Sequence, residues 1–385
     1  MRILVIGALP KSLEIFRGPL LRAMLDRGHQ VWACAHGEDR HISDFCASIG
    51  AYYQPISIHR AGLNPWREFQ TLRQLRALIK SSKADIVLAY TIKPVIYGGI
   101  IARLCSVRRS YAMIEGLGHA FIPANGLRYL AVRKIAQFLY RFSLRFSAKV
   151  FFLNPDDIDD VLAMGLVDRG KISQVNGTGV DLAYYAAAPL PDRCVFIMIA
   201  RLLGEKGVRE YIEAARILKA RHPEAEWLLV GDADDHPNSL SPSEIEQLKR
   251  DGAVNYLGYC PDIRPAMTMA SVCVLPSYYR EGLPRTIQEG MAMGRAVIVT
   301  NAPGCRETVR LLPGDVLDKN STEVLTGENG FLVPVKNVEK LCQAMERCLA
   351  NSSLRAAMGA ASRRYAEERF DVHKVNEVLL AEMGL

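Results

Sequence analysis

Cys194-Val195-Phe196-Ile197-Met198-Ile199-Ala200-Arg201-Leu202-Leu203-Gly204-Glu205-Lys206-Gly207 sets the fold. Its first seven residues are an unbroken apolar run, and the run ends in a loop that carries Arg201 and Lys206. A strand this continuously apolar needs cover on both faces, so it belongs in a parallel sheet flanked by helices. Strands of the same character are expected at 227–230, 254–257, 272–275 and 296–299, with helices between them and a helical tail over 337–383. The first half keeps the same rhythm, with runs at 2–7, 30–35, 51–56, 85–90, 111–114 and 150–153 and a crossover helix over 66–80. The fold class is therefore α/β, with two doubly wound parallel-sheet domains. The break between them is expected between Asp181 and Arg193, where Ala183-Tyr184-Tyr185-Ala186-Ala187-Ala188-Pro189-Leu190-Pro191 has two prolines and no helical or strand period. Expected domains are 1–182 and 193–365, followed by a C-terminal helix, 366–385, crossing back to the first domain. Open α/β sheets bind ligands beyond the carboxyl ends of their strands, so two such domains facing each other are expected to hold a ligand in a cleft.

Composition removes the competing classes. At 385 residues and 49% apolar content the chain can bury a core in each domain, which excludes disorder. No run approaches the roughly 18 to 20 apolar residues that span a bilayer. Arg2-Ile3-Leu4-Val5-Ile6-Gly7-Ala8-Leu9 is too short for a signal segment and is stopped by Pro10-Lys11, so the chain is expected in the cytoplasm. The nine Cys are odd in number, form no CxxC pair and mostly sit in apolar patterns, which is reduced, structural usage. The eight His form no HExxH and no Cys/His knuckle, so no metal site is expected. The net charge of +7 is unevenly spread: residues 1–190 hold 24 Lys and Arg against 14 Asp and Glu, and the remainder 24 against 27. A basic first half points to a polyanionic partner.

The chemistry is concentrated in Leu275-Pro276-Ser277-Tyr278-Tyr279-Arg280-Glu281-Gly282-Leu283-Pro284-Arg285-Thr286-Ile287-Gln288-Glu289-Gly290-Met291-Ala292. A strand ends near Pro276, a polar loop carries Glu281-Gly282, and Pro284 stands where a first helical turn tolerates proline. The free N–H groups and positive dipole end of that helix form an anion site. Glu281 in the loop and Glu289 inside the helix can each chelate a vicinal diol. Arg201 and Lys206 suit a diphosphate whose charge grows as a leaving group departs, whereas as plain surface cations they would oppose the dipole of the helix they precede. Together with the helix start they neutralise a diphosphate without a metal.

In chain order, Asn176-Gly177-Thr178-Gly179-Val180-Asp181, Arg201 with Lys206, Val230-Gly231-Asp232, Asn255-Tyr256-Leu257-Gly258-Tyr259, Glu281-Gly282-Leu283-Pro284 with Glu289, and Gly330-Phe331-Leu332-Val333-Pro334 resemble the family-4 retaining glycosyltransferases of the GT-B fold. The resemblance spans nearly the whole chain and is most specific from 172 to 335. It implies transfer of a sugar from a nucleotide diphosphate donor bound by the domain 193–365 to an acceptor bound by the domain 1–182, with no cofactor. By resemblance Arg201 and Lys206 bind the donor diphosphate, Glu289 the ribose and Glu281 the donor sugar hydroxyls, with Gly231, Gly282 and Leu283 in the same donor motifs. Gly7 is the donor-side candidate of the first loop, where many family members carry a glycine pair and Gly7-Ala8-Leu9-Pro10-Lys11-Ser12 offers one.

Tyr279-Arg280-Glu281-Gly282-Leu283-Pro284-Arg285, Ala302-Pro303-Gly304-Cys305-Arg306-Glu307 and Ile114-Glu115-Gly116-Leu117-Gly118 resemble the bacterial members that extend sugars on undecaprenyl diphosphate in N-glycan, O-antigen or capsule assembly. This implies a UDP-sugar donor, an N-acetylhexosamine as the sugar moved, a polyprenyl diphosphate-linked acceptor and a place on the cytosolic face of the inner membrane. Glu115 and His119 are both candidates for the catalytic residue near the donor sugar. In a front-face retaining mechanism the departing diphosphate oxygen can take the proton of the attacking hydroxyl, so either residue can orient or stabilise without acting as a base.

Between Leu127 and Val150, Leu127, Leu130, Ala131, Ile135, Phe138, Leu139, Phe142 and Phe146 recur at helical spacing, while Arg128, Arg133, Lys134, Arg141, Arg145 and Lys149 fill other positions. The apolar stripe reads as core-facing, and the cations as a face for anionic lipid. Arg17 is a further candidate for acceptor or membrane contact. No nucleic-acid module is recognisable. Two rival readings share the architecture: a sugar-nucleotide 2-epimerase, which needs no acceptor, and a nucleotide-sugar sensor that binds without reaction.

Overall fold

Each half of the chain folds around its own seven-stranded sheet in the computed structural model, which describes residues 1–58, 64–117, 127–234 and 236–385. Residues 1–178 with 373–385 make unit 1, and residues 179–372 make unit 2.

Unit 1 runs β1 (Arg2–Ile6), α1 (Pro10–Ile15), α2 (Gly18–Asp26), β2 (Gln30–His36), α3 (Arg40–Ile49), β3 (Tyr52–Ile56), α4 (Pro65–Ser82), β4 (Ile86–Tyr90), α5 (Ile92–Leu104), β5 (Arg109–Ile114), α6 (Leu127–Leu144), β6 (Lys149–Phe152), α7 (Pro155–Ala163) and β7 (Ile172–Gln174). The strands are parallel in the order β3-β2-β1-β4-β5-β6-β7. The order reverses between β1 and β4, which makes that pair the switch point where open sheets take ligands. The core lies between sheet and helices, where Leu4, Ile6, Val87, Ala112 and Phe152 meet Leu75, Ile79, Ile101, Tyr140 and Leu144.

Unit 2 repeats the plan with β8 (Val195–Ile199), α8 (Val208–Lys219), β9 (Glu226–Val230), α9 (Pro242–Asp251), β10 (Asn255–Gly258), α10 (Arg264–Thr268), β11 (Val272–Leu275), α11 (Arg285–Ala292), β12 (Ala296–Thr300), β13 (Leu325–Thr326), β14 (Gly330–Val333), α12 (Val338–Ala350) and α13 (Ser352–Tyr365). A π-helical turn, Ala366–Phe370, leads into α14 (Val372–Met383). The order is β10-β9-β8-β11-β12-β14-β13, parallel except for the short edge strand β13. The runs with no polar alternation are buried throughout, as in β4, β11 and β12, which is the physical reason they read as strands of a covered parallel sheet.

Two boundaries differ from expectation. The proline-rich segment 181–193 is part of unit 2, because Ala188 N–H donates to Met293 O at 3.2 Å and Arg295 donates to Ala188 O and Pro189 O at 2.8 and 3.2 Å. The unit boundary therefore lies between 178 and 179. The expected tail over 337–383 is several helices, since Asn351 ends α12 and caps α13 by accepting from Leu354 N–H. Residues 366–372 stay with unit 2, and the last helix joins unit 1 from 373 onward. There Arg109 and Tyr111 each donate to Met383 O at 2.8 Å, and Lys149 pairs with Glu382.

Candidate active site

The carboxyl ends of β8 and β11 bring together two of the expected donor residues. After β8 the chain makes a tight 3-10 turn, Gly204–Lys206, and after β11 it makes the loop that holds Glu281. Lys206 Nζ donates to Glu281 Oε1 at 2.5 Å, with the side chains only 17% and 10% exposed. Ser277 Oγ lies 2.9 Å from the same oxygen and 3.1 Å from Glu205 O, so its single proton serves one of them at a time. The N–H groups of Tyr278 and Tyr279 both donate to Glu205 O, which locks the two loops together, and the Tyr279 ring lies 5.3 Å from the Lys206 ammonium. Gly304, at φ +76°, closes the floor: a Cβ there would overlap the carbonyl oxygens of Glu281 and Gly282.

Glu289 sits on α11, whose N-cap Pro284 offers no side-chain acceptor to the first-turn N–H groups. The carboxylate is 5% exposed. Arg285 Nε donates to Oε1 at 2.8 Å, and Tyr185 forms a second side-chain hydrogen bond. Burial pushes the Glu289 carboxyl above its ordinary range, and the charge and hydrogen bond of Arg285 with the bond from Tyr185 offset this only in part. Burial and the neighbouring Glu289 drive the Tyr185 phenol far upward, so it is a neutral donor. Neither Glu281 nor Glu289 is a solvated surface carboxylate.

Arg201, by contrast, stands out in the open at 51% side-chain exposure and is paired with Asp234 at 2.8 Å. Asp234 lies below the ordinary carboxyl range: burial would raise it, but the His236 N–H and then Arg201 outweigh that. Gly231, at φ +146°, ends β9 against β8, and a Cβ would fall on Ala200 O. Leu283 is 9% exposed beside Gly282 in the loop before α11.

In unit 1, Gly7 follows β1, and a side chain there would overlap the ring of Tyr90, the last residue of β4. Its lack of a side chain thus has a packing cause inside unit 1. Glu115, just past β5, is ion-paired with Arg17, which is 2% exposed. Burial removes Arg17 as a surface contact for lipid. His119 and the side chain of Arg133 lie outside the described residues. Lys134, Arg141 and Arg145 are exposed along α6 and its end. The expected core stripe of α6 is largely outside the core: Leu130, Ile135, Phe138 and Phe142 are 41%, 57%, 68% and 45% exposed. The helix buries Tyr140, Ser143 and Leu144 instead, packing against α5 with Ser143 Oγ donating to Val95 O.

Sequence reasoning missed Ser277, Tyr185, Arg285 and Asp234 as partners of site residues. Only Tyr185 left a signal, as one of two tyrosines in an otherwise small, proline-rich connection. A separate hollow of about 400 Å³ is lined by Arg209, Glu213, Arg216, Glu244, Gln247 and Val338, and contains none of the expected residues. Its arginines are matched by Glu244, Glu213 and Asp251.

Comparison with known proteins agrees with this layout. The family described as "Glycosyl transferase 4-like" matches residues 6–154, and "Glycosyl transferases group 1" matches residues 193–351, one on each sheet. The N,N'-diacetylbacillosaminyl-diphospho-undecaprenol alpha-1,3-N-acetylgalactosaminyltransferase of Campylobacter jejuni is 26% identical over 371 residues, covering 92% of this chain and 91% of that protein. The UDP-Gal:alpha-D-GlcNAc-diphosphoundecaprenol alpha-1,3-galactosyltransferase of Escherichia coli is 26% identical over 314 residues, covering 78% and 75%. HepE of Anabaena, solved in complex with UDP, superposes with a TM-score of 0.77 at 19% identity over 100% of both chains, which shows the fold. None of these relatives is an epimerase. With one match on each sheet and full-length agreement in fold, the chain belongs to the group 1, family-4-like glycosyltransferases, and the protein is a glycosyltransferase of GT-B architecture.

Proposed function

We propose that this transferase moves an N-acetylhexosamine, with retention, from a UDP-sugar to a saccharide carried on polyprenyl diphosphate in bacterial surface glycan or glycoprotein assembly. The observation that carries the reading is the Lys206–Glu281 pair at the edge of unit 2, with the buried Glu289 on the adjoining helix. The donor and acceptor classes follow the Campylobacter and Escherichia relatives, whose names specify diphospho-undecaprenol acceptors.

In this reading Glu281 receives a hydroxyl of the donor sugar, and Glu289 the ribose. Lys206, Arg201 and the uncapped start of α11 stabilise the charge that grows on the diphosphate as the bond from the anomeric carbon to its oxygen breaks. The acceptor hydroxyl forms the new bond on the same face, and its proton passes to the departing diphosphate oxygen. In this reading these three positive elements neutralise the diphosphate, and the reaction runs without a metal. The test incubates the enzyme with UDP-sugars alone and then with polyprenyl diphosphate-linked acceptors, each with and without EDTA. A glycolipid formed only with acceptor, at an unchanged rate in EDTA, is expected. An epimer without acceptor makes it an epimerase, binding with no product makes it a sensor, and magnesium-reversed loss in EDTA sinks the metal-independent mechanism.

The reading also places the protein on the cytosolic face of the inner membrane as a peripheral enzyme. No helix of the described residues is long and apolar enough to cross a bilayer. Exposed Phe138 and Phe142 stack on one side of α6, next to Lys134, Arg141 and Arg145, and no Asp or Glu occurs from 116 to 155. Apolar rings beside unopposed cations suit an anionic bilayer. Each cation near such a surface contributes about 1 kcal/mol, so changing all three to Gln should weaken binding to anionic vesicles by about a hundredfold and leave neutral vesicles unaffected. Changing Phe138 and Phe142 to Ser should weaken binding to both. Equal binding of wild type to anionic and neutral vesicles would remove the membrane assignment.

A further inference from the structure

Arg17 breaks three local preferences at once. It occupies the N-cap of α2, where short side chains that accept from first-turn N–H groups are favoured and where a cation meets the positive end of the helix dipole. Its guanidinium is buried, which is costly unless its donors are matched. They are matched poorly. Nη2 pairs with Glu115 Oε1 and lies 2.7 Å from Met113 Sδ, the group sits 4.7 Å from the centre of the Tyr90 ring, and among the described residues Nε has no partner.

Arg295 shows how this chain builds a structural arginine. It is 0% exposed, and it donates from Nε to Met267 O at 3.1 Å, from Nη1 to Ala188 O at 2.8 Å, and from Nη2 to Pro189 O and Thr268 O at 3.2 and 3.4 Å. Backbone carbonyls take four of its five N–H donors, and it ties segments of unit 2 together. Arg17 instead ties down a carboxylate. Glu115 is 24% exposed, and among the described residues its only partner is Arg17, on one oxygen. The other face of Arg17 is fixed as well: Tyr90 lies against it, 1% exposed and hydrogen-bonded to Ser12 Oγ at 2.8 Å, in space that Gly7 leaves open. Gly7, Tyr90 and Glu115 stand at the carboxyl ends of neighbouring β1, β4 and β5.

We propose that Arg17 is a positioning residue, whose ion pair fixes the Glu115 side chain so that the second carboxylate oxygen accepts a hydrogen bond from a hydroxyl or amide N–H of the acceptor sugar. This rests on the reading that unit 1 takes the sugar acceptor. A buried cation tolerated at a poor helix position is then explained by what it holds in place.

Acceptor kinetics of Arg17→Met, Glu115→Gln and the double variant test it, alongside UDP affinity by calorimetry. Each single change should lower kcat/KM for the acceptor by about 10- to 100-fold, as expected when a substrate-orienting group is displaced. UDP affinity should stay within about twofold, and the double variant should be no worse than the poorer single one, because Arg17 acts through Glu115. Arg17→Lys, keeping the charge without the fork, should recover part of the loss. If Arg17→Met does not fold, Arg17→Lys must still fall between wild type and Glu115→Gln. Additive losses, or wild-type acceptor kinetics in the Arg17 variants, overturn the inference while leaving the proposed reaction intact. Failure of the wild type to glycosylate any polyprenyl-linked acceptor overturns the proposed reaction itself.

Discussion

Replacing Lys206 with alanine should lower turnover by about 10²- to 10³-fold, the loss expected when one fixed stabiliser of a departing anion is removed. The substitution has a second effect, because Lys206 is the cation bonded to a Glu281 that is only 8% exposed. Stranding a mostly buried carboxylate destabilises a fold, so the melting temperature should fall as well. The two effects are separable. Lys206→Met combined with Glu281→Gln leaves no unmatched charge and should restore the melting temperature, but not turnover. Wild-type turnover in Lys206→Ala would remove the donor-site assignment.

Glu289→Gln should show the opposite coupling, with activity lost and stability kept or gained. The kcat/KM for the donor should fall at least about tenfold, mainly through KM, if the carboxylate holds the ribose in ground and transition states alike. Burial raises the folded-state pKa of Glu289 above its unfolded value. A carboxyl shifted upward binds its proton more tightly in the fold, so its contribution to stability falls as pH rises from the unfolded pKa through the folded one. Above that window the charged Glu289 destabilises the native state, and neutral Gln does not. The variant should therefore melt at or above the wild-type temperature at neutral pH, and the difference should shrink as pH falls toward the unfolded value. A variant that melts clearly lower at neutral pH would mean that the Arg285 and Tyr185 bonds make Glu289 a structural residue.

The sheets were legible because strands covered on both faces cannot alternate polar and apolar residues. Ile86 to Tyr90 and Val272 to Leu275 show this in sequence and are buried throughout in the structure. The strand Ile172–Gln174 was not legible: it has three residues at a sheet edge, half-exposed, and carries no period. The carboxylates Glu281 and Glu289 stood out by their loop and helix positions. Which residues would bond them was not legible: Lys206 stood out as a cation but not as the partner of Glu281, and Tyr185 not as that of Glu289, because the loop of Lys206 and the connection carrying Tyr185 reach them only through tertiary packing. α6 shows a different limit. A helical period identifies an apolar face but not what covers it, and Phe138 and Phe142 satisfy the same spacing whether buried or exposed. Arg17 read as a free cation because nothing near it in sequence is acidic except Glu14; its partner is 98 residues away.

The most direct test of the central claim is the transfer assay read by NMR at the anomeric proton of the lipid-linked product. With a donor of α configuration and a polyprenyl diphosphate-linked acceptor, the account predicts a new α-linked sugar on the glycolipid and release of UDP in equal amount. A β-linked product, or consumption of the donor with no glycolipid formed, would contradict it.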